Sequence, residues 1–170
     1  NEDTKVRYWA VPGTKGFAYR NGGLEKDYYK GGISSDPENH QKMVETRAAK
    51  VKGVENMIPD LEIFGNENAD LLIVGWGSTR GHLMSSVVSM NKKGKNVAMV
   101  HFNYINPLPR NTEEVLKKFK KVVVCELNSG QFAGYLRAEI PGLNILQYNK
   151  VQGQPFTVTE LEKQFEIILK

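Results

Sequence analysis

Four polar segments carry the side chains that could do chemistry in this sequence, and each of them follows an apolar run. They are GWGSTRG (75–81), FNYINPLPR (102–110), ELNSGQ (126–131) and YNKVQGQPF (148–156). If the apolar runs are parallel strands of an open α/β sheet, the four segments meet at the carboxyl edge of that sheet. Ligands of such sheets gather at this edge, near a switch in strand order. The sequence therefore predicts one shared functional edge.

The glycines of GWGSTRG raise the question of nucleotide binding. Their spacing is one residue longer than the dinucleotide fingerprint G-x-G-x-x-G, in which glycines let a phosphate approach a helix N-terminus. A nicotinamide site also needs an acidic residue at the end of the next strand, and HFNYIN (101–106) offers none. Glycines equally permit a tight strand-to-helix turn. A Rossmann-like nucleotide-binding module stays open as an alternative interpretation.

Polar side chains at these strand ends are the candidates for contact with a partner. We expect Ser78 and Thr79 to cap the following helix and Arg80 to reach outward from the turn. Buried carboxylates and amides must find hydrogen-bond partners, so those of ELNSGQ either tie the sheet end together or meet another chain. The prolines of NPLPR make a rigid exposed loop suited to docking. The cleft and interface candidates are Gly77, Ser78, Thr79, Arg80, Asn103, Tyr104, Asn106, Glu126, Asn128 and Gln131.

Nothing in the chain assembles a nucleophile, a base and an orienting group. There is no G-x-S-x-G elbow and no P-loop. The three histidines share no ligand spacing, so we expect no metal site, and His101 is more readily explained as a structural residue than as a cleft residue. The single cysteine, Cys125, lies in the apolar run VVVCEL and is expected to be a buried, inert thiol. We predict no catalytic residue.

The elements that must position these segments alternate along the chain. Asp36 and Pro37 read as the cap and first residue of a helix, within an otherwise irregular, glycine-rich portion (1–60) that cannot bury its own apolar stripe. From 61 to 170 apolar runs alternate with helical patterns: LEIF, LLIVGWG, NVAMVHF, VVVCEL and NILQY are strand candidates. This spacing predicts a three-layer α/β/α domain around a mainly parallel five-stranded sheet, with LEIF as a candidate antiparallel edge strand. Asn111, followed by Glu114, is expected to cap one of the helices.

Composition sets the broad class. The chain has 170 residues, 40% of them hydrophobic and 25% charged, with a net charge of +4. It has no apolar run long enough to cross a bilayer and no signal pattern, and one cysteine fits a reducing compartment, so we expect a cytoplasmic protein. It lacks an initiator Met, and we expect it to begin inside a longer gene product. Basic residues exceed acidic ones by six over 92–121, which indicates either solvated helix ends or a surface for an anionic partner. No nucleic-acid or membrane partner is expected.

Four ordered motifs carry a family resemblance. GWGSTRG, VAMVHFNYINPLP, VVVCELNSGQFAGYLRAE and YNKVQGQPFTVTELE resemble the C-terminal half of the alpha subunit of 2-oxoacid:ferredoxin oxidoreductases. PGTKGFAY, GLEKD and DPENHQKMVETRAAKV resemble the connector that precedes that domain, with Lys26 standing where relatives commonly have His. The resemblance covers nearly the whole chain. It implies a fold of the transketolase C-terminal type.

The resemblance also implies an enzyme that decarboxylates a 2-oxoacid onto coenzyme A and passes electrons to ferredoxin. Thiamine diphosphate and magnesium would sit between an N-terminal alpha domain and a beta subunit, and the beta subunit would carry an iron–sulfur cluster. The motif of the Tyr-Pro-Ile-Thr-Pro type is absent here, so this fragment is expected to be structural, to bind no cofactor alone and to be inactive in isolation. A 2-oxoglutarate enzyme is the leading interpretation. A pyruvate or branched-chain 2-oxoacid enzyme, or an interaction protein outside any enzyme, stays open.

Overall fold

The computed structural model describes residues 1–20 and 22–170 and divides the chain into two compact units, Asn1–Ile58 and Pro59–Lys170. The first unit contains helix α1 (Pro37–Gly53), which continues as a single 3-10 turn, Val54–Asn56. Asp36 caps α1 as predicted, because its carboxylate accepts a hydrogen bond from the Asn39 backbone N–H at 2.7 Å. No residue of α1 is buried, so this helix lacks a core of its own.

Polar contacts hold the first unit together. The Glu25 carboxylate accepts hydrogen bonds from Arg47 at 2.9 Å and from His40 at 3.1 Å. The Lys42 ammonium lies 3.8 Å from the centre of the Tyr28 ring. Lys26, the residue that departs from the family pattern, donates to the backbone carbonyls of its own loop. These contacts order the loop around residues 22–34 against α1 without burying apolar surface.

The second unit is an alternating α/β domain. Its elements in chain order are β1 (Phe64–Gly65), β2 (Leu71–Trp76), α2 (Arg80–Lys92), β3 (Val97–Phe102), α3 (Thr112–Lys117), β4 (Val122–Glu126), α4 (Gln131–Glu139), β5 (Leu146–Asn149) and α5 (Val158–Leu169). The sheet order is β1-β3-β2-β4-β5, with β1 antiparallel to β3 and the other pairs parallel. The prediction of a mainly parallel five-stranded sheet with an antiparallel edge strand is confirmed, although the edge strand is only two residues long.

Alternating side chains of the central strands divide the core into two layers. Leu72 and Val74 of β2 face α3 and α4, where Leu116, Phe132 and other apolar residues pack on them. Their neighbours in the strand, Leu71 and Ile73, point to the opposite face of the sheet, toward α2 and α5. This alternation follows from the two-residue period of a strand. Because both faces are covered, the strands read as continuous apolar runs, and the predicted three-layer architecture is confirmed.

The strand order fixes which loops are neighbours. β2 is central, β3 lies on one side of it and β4 on the other. The switch in strand order therefore falls between β2 and β4, and the loops that follow these two strands face one another. The loop after β3 lies on the far side of β2. The predicted functional edge is thus split into two places.

Candidate functional site

A buried carboxylate occupies the switch point. Glu126, the last residue of β4, has none of its surface exposed. Its Oε1 accepts hydrogen bonds from the Trp76 indole (3.2 Å), the Asn128 side-chain amide (3.2 Å) and the Phe132 backbone N–H (2.8 Å). Its Oε2 accepts from the Ala133 backbone N–H at 3.0 Å. All four partners are donors, so the group acts only as an acceptor, as an ionised carboxylate does.

This carboxylate takes the place that a ligand anion would have at the N-terminus of α4. Free backbone N–H groups and the helix dipole favour a negative charge there. Because Glu126 already uses the N–H groups of Phe132 and Ala133, the α4 terminus has no vacancy for a phosphate. The geometry therefore argues against phosphate binding at the α4 terminus, whereas the glycine turn before α2 is a separate place. It also corrects the expectation that Glu126 itself contacts a partner, since the side chain is enclosed.

The loop between β4 and α4 is built on Asn128. Its Oδ1 accepts hydrogen bonds from the backbone N–H groups of Gly130 at 2.7 Å and Gln131 at 3.0 Å. Gly130 has a φ of +95°, which L side chains rarely adopt, and a Cβ there would lie 2.2 Å from the Gln147 amide. Asn128 is half-buried and Gln131 is exposed. Of the sequence candidates in this loop, Gln131 is therefore the one open to a partner.

The turn after β2 does not use its hydroxyls as expected. Gly77, Ser78 and Thr79 form one 3-10 turn before α2, and no side chain caps that helix. The buried Thr79 hydroxyl instead donates to the Trp76 carbonyl at 2.8 Å and accepts from the Trp76 N–H at 3.2 Å. The prediction that Ser78 and Thr79 cap α2 is wrong. Thr79 closes the turn back onto β2, and this fixes the Trp76 indole that reaches Glu126.

A second cluster lies on the far side of β2. A cavity of about 300 Å³ is lined there by three of the sequence candidates, Arg80, Asn103 and Tyr104. His101 lines it as well, and its floor is apolar, with Met84 and Met99. The opposite wall is the segment 59–64, which includes two exposed carboxylates, Asp60 and Glu62, that sequence reasoning did not select. Asn106, the remaining candidate, is exposed but is not among the cavity-lining residues.

His101 has an unusual environment at the end of β3. Burial, reinforced by the positive charge of Arg80, lowers the pKa of the imidazole, against a smaller opposing effect of a hydrogen bond with the Gly77 backbone. Its Nδ1 is buried and has no hydrogen-bond partner among the described residues. A Cβ on Gly75 would lie 3.5 Å from that nitrogen. The Nδ1 side of the ring therefore packs against β2.

Asn111 has a different role from the predicted one. It was expected to cap α3, but its side chain makes no cap hydrogen bond. Its Oδ1 accepts from the Leu61 N–H at 2.8 Å, and its Nδ2 donates to the Leu61 carbonyl at 3.0 Å. The amide thus pairs with the backbone of residue 61 as a neighbouring strand would. This pairing holds the wall 59–64 of the cavity in place.

The excess of lysine over 92–121 has a structural explanation. Helices α2 and α3 end in this region, at the amino edge of the strands, and lysines at helix C-termini are favoured by the helix dipole. Several of these lysines also have partners: Lys118 lies 2.7 Å from Glu67, and Lys93 lies 2.8 Å from Glu162. Lys121 donates to the Ile168 carbonyl in the last turn of α5 at 2.7 Å. Lys93, Lys118 and Lys121 therefore have partners within the domain.

The side chains of Glu126 and Cys125 do not suit the cofactors that the family resemblance implies. A magnesium–diphosphate site needs oxygen ligands that are free to bind, and Glu126 has used both of its oxygens. No group of three or more potential metal-ligating His, Cys, Asp or Glu side chains occurs in residues 1–20 and 22–170. Iron–sulfur clusters need several thiolates, whereas the chain has one cysteine. That residue, Cys125, is fully buried, and burial raises the pKa of its thiol.

Fold and edge together define the class of protein: a three-layer α/β domain whose polar strand-end loops lie beside a buried carboxylate at the switch in strand order. Comparison with known proteins gives the family. The chain belongs to the family described as pyruvate:ferredoxin oxidoreductase core domain II, whose model matches residues 69–161. In the part of the chain that the structure describes, no helix has the length and hydropathy needed to span a bilayer.

Individual relatives agree with this assignment. The chain is 40% identical, over 162 residues, to the 2-oxoglutarate oxidoreductase subunit KorA of Mycobacterium tuberculosis. The matched region covers 95% of this chain and 24% of the relative. It is 35% identical over 112 residues to the alpha subunit of 2-oxoacid:ferredoxin oxidoreductase 1 of Aeropyrum pernix, covering 62% of this chain and 17% of the relative. The resemblance stated from the motifs is confirmed.

A solved structure is similar as well. The 2-oxoglutarate:ferredoxin oxidoreductase of Magnetococcus marinus, with 2-oxoglutarate, coenzyme A and succinyl-CoA bound, matches 99% of this chain and 30% of its own chain, with a TM-score of 0.85 and 27% identity. The chain spans about a quarter of the length of the curated relatives that it matches over most of its residues.

Proposed function

We propose that this chain is the core domain II region of the alpha subunit of a 2-oxoglutarate:ferredoxin oxidoreductase. The complete enzyme would decarboxylate a 2-oxoacid, join the acyl group to coenzyme A and pass two electrons to ferredoxin. One observation carries the proposal: 40% identity to a 2-oxoglutarate oxidoreductase subunit over 95% of the chain. The match to a solved 2-oxoglutarate:ferredoxin oxidoreductase over 99% of the chain supports it.

Within such an enzyme, this region would act in assembly and in shaping the active-site cleft. The cofactors, thiamine diphosphate with magnesium and an iron–sulfur cluster, would be held by the N-terminal alpha domain and the beta subunit. The engagement of both Glu126 oxygens by the domain's own donors supports this division of roles. The exposed candidates would face those partners: Gly77, Ser78, Arg80, Asn103, Tyr104, Asn106 and Gln131. Glu126, Thr79 and Asn128 would hold the loops from behind.

The activity is tested on the complete enzyme, produced from the full-length gene together with its beta subunit. We expect 2-oxoglutarate to drive coenzyme A-dependent reduction of ferredoxin, measured by the absorbance of ferredoxin under anaerobic conditions. Pyruvate and branched-chain 2-oxoacids are the comparison substrates. Faster turnover of pyruvate at equal concentration would replace 2-oxoglutarate as the substrate. Absence of activity with every 2-oxoacid would overturn the assignment to this enzyme class.

The location of the cofactor site has a separate test. Calorimetric titration of residues 1–170 with thiamine diphosphate and magnesium should show no heat of binding, because the buried carboxylate at the switch point is already hydrogen-bonded within the domain. Micromolar binding would place the cofactor site on this region and refute the division of roles.

The edge itself is tested by substitution in the complete enzyme. Arg80→Ala and Asn128→Ala should lower the stability of the subunit complex or its turnover, whereas Lys163→Ala on the exposed face of α5 should change neither. Subunit dissociation is followed by analytical ultracentrifugation and turnover by ferredoxin reduction. If Arg80→Ala behaves as the parent enzyme does, Arg80 has no place in the interface, and if Asn128→Ala does so, the loop needs no support from Asn128.

A further inference from the structure

Residues 5–20 have a composition unlike the rest of the first unit. We call this stretch, KVRYWAVPGTKGFAYR, the basic aromatic segment. It contains four cationic side chains and no acidic one. It also contains four aromatic rings, interleaved with those cations. Aromatic residues and arginine are the types enriched at protein interfaces and at their energetic hot spots.

The aromatic rings of this segment are open to solvent within the chain. Tyr8 is 82% exposed, Trp9 66%, Phe17 64% and Tyr19 58%. Single exposed apolar residues are normal on a protein surface, but four large rings within twelve residues form a concentrated apolar surface. Nothing in the first unit covers them, because neither this segment nor α1 has a buried residue.

Two of the four cations have no acidic partner in the part of the chain that the structure describes. Within the described residues, Lys15 and Arg20 make no ion pair. Arg7 donates to the backbone carbonyl of Asp27 at 3.1 Å. Lys5 pairs with Glu2 at 3.3 Å, whereas Glu25 pairs with Arg47 and Asp36 caps α1. The segment therefore presents unneutralised positive charge beside uncovered rings.

We propose that the basic aromatic segment docks on an acidic, apolar protein surface of the same enzyme, outside residues 1–170. This proposal rests on the proposed function, which makes the chain about a quarter of a larger subunit. The bulk of such a subunit, and its partner subunits, are available to cover the rings. Opposite charge on the partner surface would steer docking and set its register. Because the segment contains neither helix nor strand, it does not have the amphipathic helical form by which peripheral proteins bind membranes.

Hydrogen exchange tests the docking directly. Backbone amides of residues 5–20 should exchange freely in the isolated chain 1–170, since this segment makes few backbone hydrogen bonds. In the complete enzyme these amides should exchange at least about 100-fold more slowly. Zero-length carbodiimide coupling should join Lys15 to a carboxylate outside residues 1–170. Equal exchange in the isolated chain and the complete enzyme would overturn the proposal.

Charge reversal provides the matched variants. Lys15→Glu with Arg20→Glu should remove the protection of residues 5–20 in the complete enzyme, whereas Lys120→Glu with Lys163→Glu changes the charge equally on the α/β domain and should leave it intact. Both pairs are exposed, so the isolated chains should unfold at the parent temperature. Retained protection in the first variant would refute the acidic partner.

Two further outcomes separate the possible failures. If the complete enzyme is active on no 2-oxoacid but still protects residues 5–20 in a charge-dependent way, the docking stands and the proposed function fails. If the enzyme is active and the segment is unprotected, the reverse holds. Binding of the chain 1–170 to a single-stranded oligonucleotide or to anionic phosphatidylserine vesicles, abolished by the first variant, would assign the segment to that class of partner instead.

Discussion

Replacing Glu126 with Gln is expected to weaken the α/β domain more than any other change of one carboxylate to an amide. The amide carbonyl can take the position of Oε1 and keep its three donors, Trp76, Asn128 and Phe132. The amide NH2 then faces the backbone N–H of Ala133, which is 3.0 Å from Oε2 in the parent chain. Two donors would point at one another inside a buried site, and the charge would be lost.

The size of the effect follows from the contacts. A hydrogen bond to a charged group contributes about 1.5–3 kcal/mol, and a buried donor left unsatisfied costs about 1–3 kcal/mol. We therefore expect Glu126→Gln to lower the free energy of unfolding by about 2–4 kcal/mol. Glu139→Gln, on the exposed end of the same helix, should change it by less than about 0.5 kcal/mol.

The assay is urea denaturation of the chain 1–170 in a Trp9→Phe background, which leaves Trp76 as the only indole. Its fluorescence reports on the strand end, because the indole donates directly to Glu126. Far-ultraviolet circular dichroism gives a second, global reading. A loss below about 0.5 kcal/mol for Glu126→Gln would refute the reasoning, since it would mean that the buried carboxylate adds no net stability.

Three other predictions follow from local geometry. Gly130→Ala should lower the free energy of unfolding by about 1–3 kcal/mol in chemical denaturation, because the φ of Gly130 is +95° and a Cβ would lie 2.2 Å from a side chain of β5. Gly134→Ala in α4 meets nothing within 4 Å and should raise the free energy of unfolding by about 0.5–1 kcal/mol. The opposite order of the two variants would contradict the strain argument. Hydrogen bonding from Lys150 lowers the pKa of Glu160, so the ionised Glu160 stabilises the fold at pH values above the pKa of the unfolded chain, and this stabilisation is lost as the pH falls below about 4.5. In a plot of melting temperature against pH, Glu160→Gln should therefore flatten the acid limb. Parallel curves for the variant and the parent chain would contradict this prediction. The buried thiol of Cys125, whose pKa is raised by burial, should react with dithionitrobenzoate only at the rate of unfolding, and rapid reaction in the absence of denaturant would show an accessible thiol.

The sheet was predictable from the sequence because its strands are buried on both faces. Short apolar runs such as LLIV (71–74) and VVVC (122–125) are typical of strands that are covered on both faces of the sheet. The helices between these strands show a helical apolar period. The edge strand was less predictable. LEIF lies at 61–64, but the pairing with β3 includes only Phe64 and Gly65. The Asn111 side chain bonds the backbone at Leu61, where the prediction had placed strand pairing.

The candidate site was predictable as a set of residues but not as an arrangement. Arg80 and Tyr104 were selected as strand-end residues, yet composition does not reveal that β3 and β4 flank β2 on opposite sides. The Glu126 carboxylate accepts hydrogen bonds from three separate stretches of the chain, including Trp76, which lies fifty residues away. Hydrogen bonds of such separation leave no periodic signal. An indole and a carboxylate, each at the end of a buried strand, would have been the available hint.

The shortness of β1 matters for how this domain behaves among other chains. An unpaired strand edge invites further strands to add, and proteins commonly blunt it with a very short terminal strand. β1 does this beside β3, with Gly65 at a φ of +112° ending the extension after two residues. The sheet therefore has one side from which intermolecular pairing could grow, along the four residues of β5. Self-association of the domain, where it occurs, should begin there, and a proline or lysine placed on that border would suppress it.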